Sequence, residues 1–175
     1  MRSITFTNAV FGAALIAGVA VAQDAPEGPD PGCYVREYSQ SHLDKHPDQV
    51  ARNIYLLIQD QDLVGFPERY AYMVVDFANQ GHIAANGHGA QRLDNSFVCF
   101  QLGNGRKGCA LDCDNGSFVV RRQDASGMTI EVPTLLFGSE GECLGPIDLS
   151  EKPGEWTPYR LNKVDEKQCL AQVEN

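Results

Sequence analysis

Apolar residues recur at every second position through most of the chain, the spacing that puts one face of a strand against a core. The runs 54–59 (Ile-Tyr-Leu-Leu-Ile-Gln) and 70–78 (Tyr-Ala-Tyr-Met-Val-Val-Asp-Phe-Ala) are rich in β-branched and aromatic residues and are bounded by turn formers. Segments 96–102, 107–113, 117–123, 128–136 and 156–164 repeat the pattern with short connections. Together they predict a mainly β domain of about 7–8 strands without a long amphipathic helix. A short helical segment precedes the strands. Ser39 or Ser41 caps a turn that ends near His46, the residue before Pro47, and Pro47 opens a second short helix through Arg52. The Gly-rich stretch 81–90 reads as a loop.

Three hairpins have readable registers. Asn115-Gly116 suits a two-residue type I′ turn, which sets Cys113 against Phe118 and Leu111 against Val120. A five-residue loop, 102–106, centred on Asn104 sets Cys99 against Cys109 and Phe97 against Leu111; a tighter Asn104-Gly105 loop would shift that register. Gly127 in a bulged turn sets Val120 against Ile130 and Phe118 against Val132. All three send Phe97, Leu111, Phe118, Val120, Ile130 and Val132 to one face, which a one-residue slip would break. The expected architecture is an antiparallel meander closing into a small β-barrel, with a β-sandwich as the alternative. In strand count and connection style it resembles the calycin-type barrels, the lipocalins and related small secreted barrels. It lacks the Gly-x-Trp signature of lipocalins near the first strand, since the single Trp is Trp156.

The N-terminus changes the setting. Arg2, an apolar run from 9 to 21 and the small-x-small triplet Ala20-Val21-Ala22 give residues 1–22 the form of a secretory signal peptide, too short to span a bilayer. Residues 23–32 are a Pro-rich acidic leader with little to bury, and 33–175 form one domain. Export to the periplasm or exterior follows, with no transmembrane segment in the mature chain. An oxidising compartment turns the six Cys into three expected disulfides. Cys99–Cys109 follows from the hairpin register and Cys33–Cys169 from stapling the first ordered residue to the last, which leaves Cys113–Cys143. A tetrathiolate metal site is the rival reading, but no Cys-x2-Cys occurs.

Charge narrows the partners. Fourteen Lys and Arg against 23 Asp and Glu give −9, which repels nucleic acid and anionic surfaces unless a basic patch is hidden in the fold. Arg106-Lys107 and Arg121-Arg122, near hairpin ends, are the candidates for a local anion site, against an ordinary solubilising role. His42 and His46, four apart, have the spacing of half a zinc site, but Leu43 stands where a metalloprotease helix carries Glu. Their plainer reading is an exposed turn with local hydrogen bonds. His82 and His88 sit in the Gly-rich loop, where backbone can approach a ligand, and with Trp156 they are the candidate binding residues; the alternative is a solvated loop. No Gly-x-Ser-x-Gly or nucleotide fingerprint occurs, and no cofactor is implied. The expected function is a non-enzymatic exported module that binds a small ligand or a partner protein, a basic one by charge. The alternatives are a metal-dependent or hydrolytic envelope enzyme using His42/His46 or His82/His88, and a structural envelope protein.

Overall fold

Each short connection returns an alternating strand against the one before it, so neighbours in sequence become neighbours in a ladder. The computed structural model describes residues 26–63, 66–111, 114–138 and 145–173. It contains, in order, β1 (Gly32–Glu37), α1 (Gln40–Leu43), β2 (Ala51–Leu63), β3 (Phe66–Phe77), α2 (Gly81–Ala85) and β4 (Arg92–Gln101). There follow β5 (Lys107–Ala110), β6 (Gly116–Asp124), β7 (Gly127–Phe137), β8 (Ile147–Asp148), β9 (Thr157–Val164) and α3 (Glu166–Val173). The strands β1 to β7 pair consecutively, and β9 seals the sheet by pairing with both β7 and β1. All pairings are antiparallel, and the result is a closed eight-stranded barrel rather than a sandwich. β8 pairs with the last residues of β7, beyond the stretch that β9 covers.

The barrel interior is packed. Tyr34, Ile54, Leu56, Ile58, Met73, Phe97, Phe118, Ile130, Val132 and Tyr159 are at most 1% exposed and belong to one contiguous cluster. Phe97 and Phe118 meet edge to face at 5.6 Å, the arrangement their ring quadrupoles favour. Side chains at zero exposure leave no room beside them for a water-sized probe, so this interior is filled like a core. A second cluster lies on the outer wall, where Cys169 of α3 packs on Cys33, Val35 and Leu57.

Two of the three expected disulfides are formed among the described residues, Cys33–Cys169 and Cys99–Cys109. The third expected pair, Cys113 and Cys143, lies outside the described residues, as do residues 1–22 of the expected signal peptide. The loop 102–106 forms as anticipated, closed by Leu102 N–H donating to Arg106 O at 2.7 Å, and Cys99 stands opposite Cys109. Val120 stands opposite Ile130. The β5–β6 register does not follow the two-residue turn: Cys109 faces Phe118, four places from the expected pairing. Asn115-Gly116 serves another need, because a Cβ on Gly116 would lie 2.0 Å from Thr134 O of β7. Only glycine admits that approach, and its φ of +98° suits glycine as well. Since the slip is an even number of residues, Phe118 still points inward and Leu111 and Val120 still pack on the core.

Other elements depart from the sequence reading. No helix runs from Pro47 to Arg52; the chain turns with Gln49 N–H on His46 O and is already strand at Ala51. There, pairing with β3 starts at once, and a ladder with core burial outweighs one isolated helical turn. Residues 81–85, read as loop, form α2 because Ile83, 1% exposed, joins the core cluster at one barrel mouth together with Leu149. The end of the leader, expected to have little to bury, is pinned. Gly28 and Pro29 are buried, and their carbonyls accept hydrogen bonds from Arg69 Nη1 at 3.3 and 3.0 Å. Arg69 is 9% exposed, and its guanidinium is held in turn by Asp60 at 2.7 and 3.1 Å. The leader thus covers the mouth opposite α1 and α2.

Replacing Cys33 and Cys169 together by Ala should lower stability by about 5 kcal/mol, because the bridge closes 136 positions of chain. The same change at Cys99 and Cys109, 10 positions apart, should cost about 3 kcal/mol. Urea unfolding of the two variants checks the ranking. Phe118→Ala should cost about 3–5 kcal/mol in the same assay.

Candidate functional site

With the interior filled, a ligand must meet the outside of the barrel, and the mouth carrying α1 and α2 has the richest set of side chains. Ser39 Oγ caps α1 by accepting from His42 N–H at 3.2 Å. One turn of helix then lays His42 against Tyr38 (ring centroids 4.7 Å apart) and His46 against His42 (4.2 Å). Arg36 completes the column, its guanidinium 4.4 Å from the Tyr38 ring centre. Gln80 ties this turn to the barrel, its Nε2 donating to His46 O at 2.7 Å and Gln49 O at 2.9 Å.

The facing wall is the connection 149–156 between β8 and β9. Its base is clamped by Tyr159 OH donating to Leu149 O at 2.7 Å and by Asp148, whose Oδ1 accepts from Leu135 N–H and Ser150 N–H. Glu151 N–H donates to Thr157 Oγ1 at 2.8 Å. His82 Nε2 donates to Ser150 O at 2.8 Å, so α2 braces the same connection. Between the walls lies a shallow cleft of about 170 Å³ lined by Asp48, Glu151, Lys152, Glu155, Trp156 and the start of β9. Trp156 is 55% exposed, although indole is the largest apolar surface a side chain can bury. Three carboxylates against the single Lys152 ammonium, 3.9 Å from Asp48, leave the cleft negative. Burial and the neighbouring Asp48 raise the Glu151 carboxyl above its usual range, with His46 and Lys152 opposing. Desolvation, then His46, Arg36 and Lys45, hold His42 below the ordinary imidazole value.

The sequence candidates therefore have distinct fates. Trp156 lies in the cleft and His82 supports it from behind through Ser150. His88 sits at the same mouth, its backbone N–H donating to Ile83 O. His42 and His46 stack on each other, and among the described residues no three of His, Cys, Asp and Glu gather as metal ligands. Ser150, His82 and Asp148 are the residue types of a hydrolytic triad in the wrong arrangement. The Ser150 hydroxyl donates to Asp148 at 2.8 Å, His82 addresses the Ser150 carbonyl, and Ser150 is fully buried. Glu151, Arg36 and Tyr38 were not singled out in the sequence, which carries no signal that 48 and 151 converge. A more enclosed recess between α3 and the outer face of β3 and β4 is spanned by Arg92, which is held by Asp76 and by Gln172 of α3, and it reads as the helix anchor. Among the described residues no helix is long and apolar enough to cross a membrane.

A carboxyl whose pKa is raised by folding destabilises the fold once ionised, so its penalty grows as pH rises through the ordinary carboxylate range toward the raised value. Glu151→Gln should therefore raise the urea midpoint at neutral pH and leave it unchanged in acid, where both states carry the proton. Asp48→Asn should bring the Glu151 titration, followed by carboxyl-carbon NMR, down toward its usual range. Compared with known proteins, the chain matches no family model, no curated protein sequence and no solved structure.

Proposed function

We propose that this protein is an exported, non-enzymatic binding module on a calycin-like barrel, and that it recognises a cationic group of a partner protein at the Trp156 cleft. The observation that carries this reading is an indole left 55% exposed amid Asp48, Glu151 and Glu155, above a barrel whose interior is already full. A Lys or Arg side chain on such a surface gains both the face of the indole ring and the carboxylates. Exposed aromatics with charged rims are the usual anchors of protein interfaces. The −9 charge would speed encounter with a basic partner such as a lysozyme or a basic protease. Two disulfides fit an oxidising location, periplasmic or extracellular. Within this reading the module works as a rigid scaffold, since the cleft walls are fixed by Gln80, His82 and Tyr159.

Surface-immobilised protein probed with a panel of basic proteins at low ionic strength should show association that weakens at physiological salt. Trp156→Ala should reduce it by roughly 30-fold, the loss typical of an anchor residue. Association that ignores both salt and Trp156, or none across the panel, would remove the proposal.

A further inference from the structure

At the opposite mouth the fold gathers bases that the sequence keeps in two separate pairs. Arg106 and Lys107 come from the β4–β5 turn and the start of β5, Arg121 and Arg122 from β6. The antiparallel β5–β6 ladder, Gly108–Ala110 against Ser117–Val119, points them toward one another, and all four line one groove of about 350 Å³ together with Asp30, Gly105, Val120 and Gln123. Four cations in a single groove are out of proportion to a chain in which acids outnumber bases by 23 to 14.

Their positions are held from below. Glu131 of β7, whose side chain is only 22% exposed, takes Arg121 at 3.2 Å and lies 3.8 Å from Arg106, so one carboxylate draws two guanidinium groups together. Asp124 holds Arg122 at 3.1 Å, and Asp30 of the pinned leader holds Lys107 at 3.0 Å. A guanidinium carries more donors than one carboxylate edge can engage, so the remaining N–H groups face outward, with Arg121 and Arg122 side chains 66% and 75% exposed. Nothing lies within 4 Å of where a Cβ of Gly105 would stand, which leaves the rim open to a bulky ligand. Guanidinium pairs of this kind match tetrahedral oxyanions bidentately.

We infer that the groove formed by Arg106, Lys107, Arg121 and Arg122 is a binding site for a ligand carrying closely spaced phosphate groups. It is separate from the Trp156 cleft and opposite to it in charge, and it does not depend on the function proposed there. Two sources present this chemistry: a phosphorylated molecule free in solution and phosphate headgroups displayed on a membrane surface.

The test uses the exported chain with both bridges intact. Calorimetric titration with inorganic pyrophosphate at low ionic strength gives one arm, and co-sedimentation with phosphatidylcholine vesicles containing phosphatidylglycerol gives the other. Saturable binding is expected in at least one arm. Pyrophosphate binding assigns the site to a soluble ligand, and binding to vesicles alone assigns it to a membrane surface. Arg121→Ala and Arg122→Ala should each weaken binding by roughly tenfold or more, as expected for loss of a charged hydrogen bond. Lys167→Ala, which removes the same unit of charge on α3, should leave it unchanged. No saturable binding in either arm, or an equal loss from Lys167→Ala, overturns the inference. Both Arg side chains are largely solvent-exposed, so the variants should fold, which circular dichroism and urea midpoints check.

Discussion

A sheet of this length must hide its edges, and here the first strand does so by pairing with the last: Cys33, Tyr34 and Val35 of β1 lie against Val164, Lys163 and Asn162 of β9. Every other feature follows from that closure. Closing the sheet turns one face of every strand toward a single axis, so that residues far apart in sequence, such as Tyr34, Met73, Phe118 and Tyr159, share one packed interior. It also brings the chain's first and last described elements together, which is why Cys33 can reach Cys169 with their Cα atoms 5.7 Å apart.

Closure has a second consequence, for where function can reside. A barrel wall filled inside offers its two mouths and its outer face. One part of the outer face is occupied by α3 and its bridge, leaving the mouths and the β5–β6–β7 wall. Both mouths are plugged, but by different means. The α1/α2 mouth is stopped by apolar side chains, Ile83 and Leu149, which belong to the core cluster, and Leu43 of α1 is buried as well. The other is covered by backbone from the leader, held by a buried guanidinium that is satisfied by Asp60 and two carbonyls. A buried Arg is tolerable there only because its donors are so engaged.

The charge distribution is likewise a product of the fold. The net charge of −9 conceals a separation: Asp48, Glu151 and Glu155 gather at one mouth, while Arg106, Lys107, Arg121 and Arg122 gather toward the other. Each cluster combines residues from two or more distant segments, so neither is a charge run in the sequence. Under the two proposals made above, such polarity would let one small body meet partners of opposite sign at separate places.

Alternating apolar residues determined that the chain would be β and which side chains would face inward, and the five-residue loop 102–106 set Cys99 against Cys109. A period of two is a robust signal because an even-numbered slip preserves it, as the β5–β6 pair shows: four places from the expected register, Phe118 is nonetheless fully buried. Local chemistry also marked Ser39 or Ser41 as a helix cap, of which the fold uses Ser39, and 102–106 as a hairpin loop. What needed the tertiary structure was everything set by non-local contact. α2 and α3 are too short to announce themselves and exist because Ile83 and Cys169 find burial against the barrel. Gly116 looked like a turn residue until β7 passed close to it, and Trp156, an aromatic in a strand-like run, lies outside the core because the connection 149–156 carries it there. The convergence of Asp48 with Glu151 depends on barrel closure, and that of Arg106 with Arg121 on a β5–β6 register four places from the one the turn residues suggested; spacing along a chain carries no record of either.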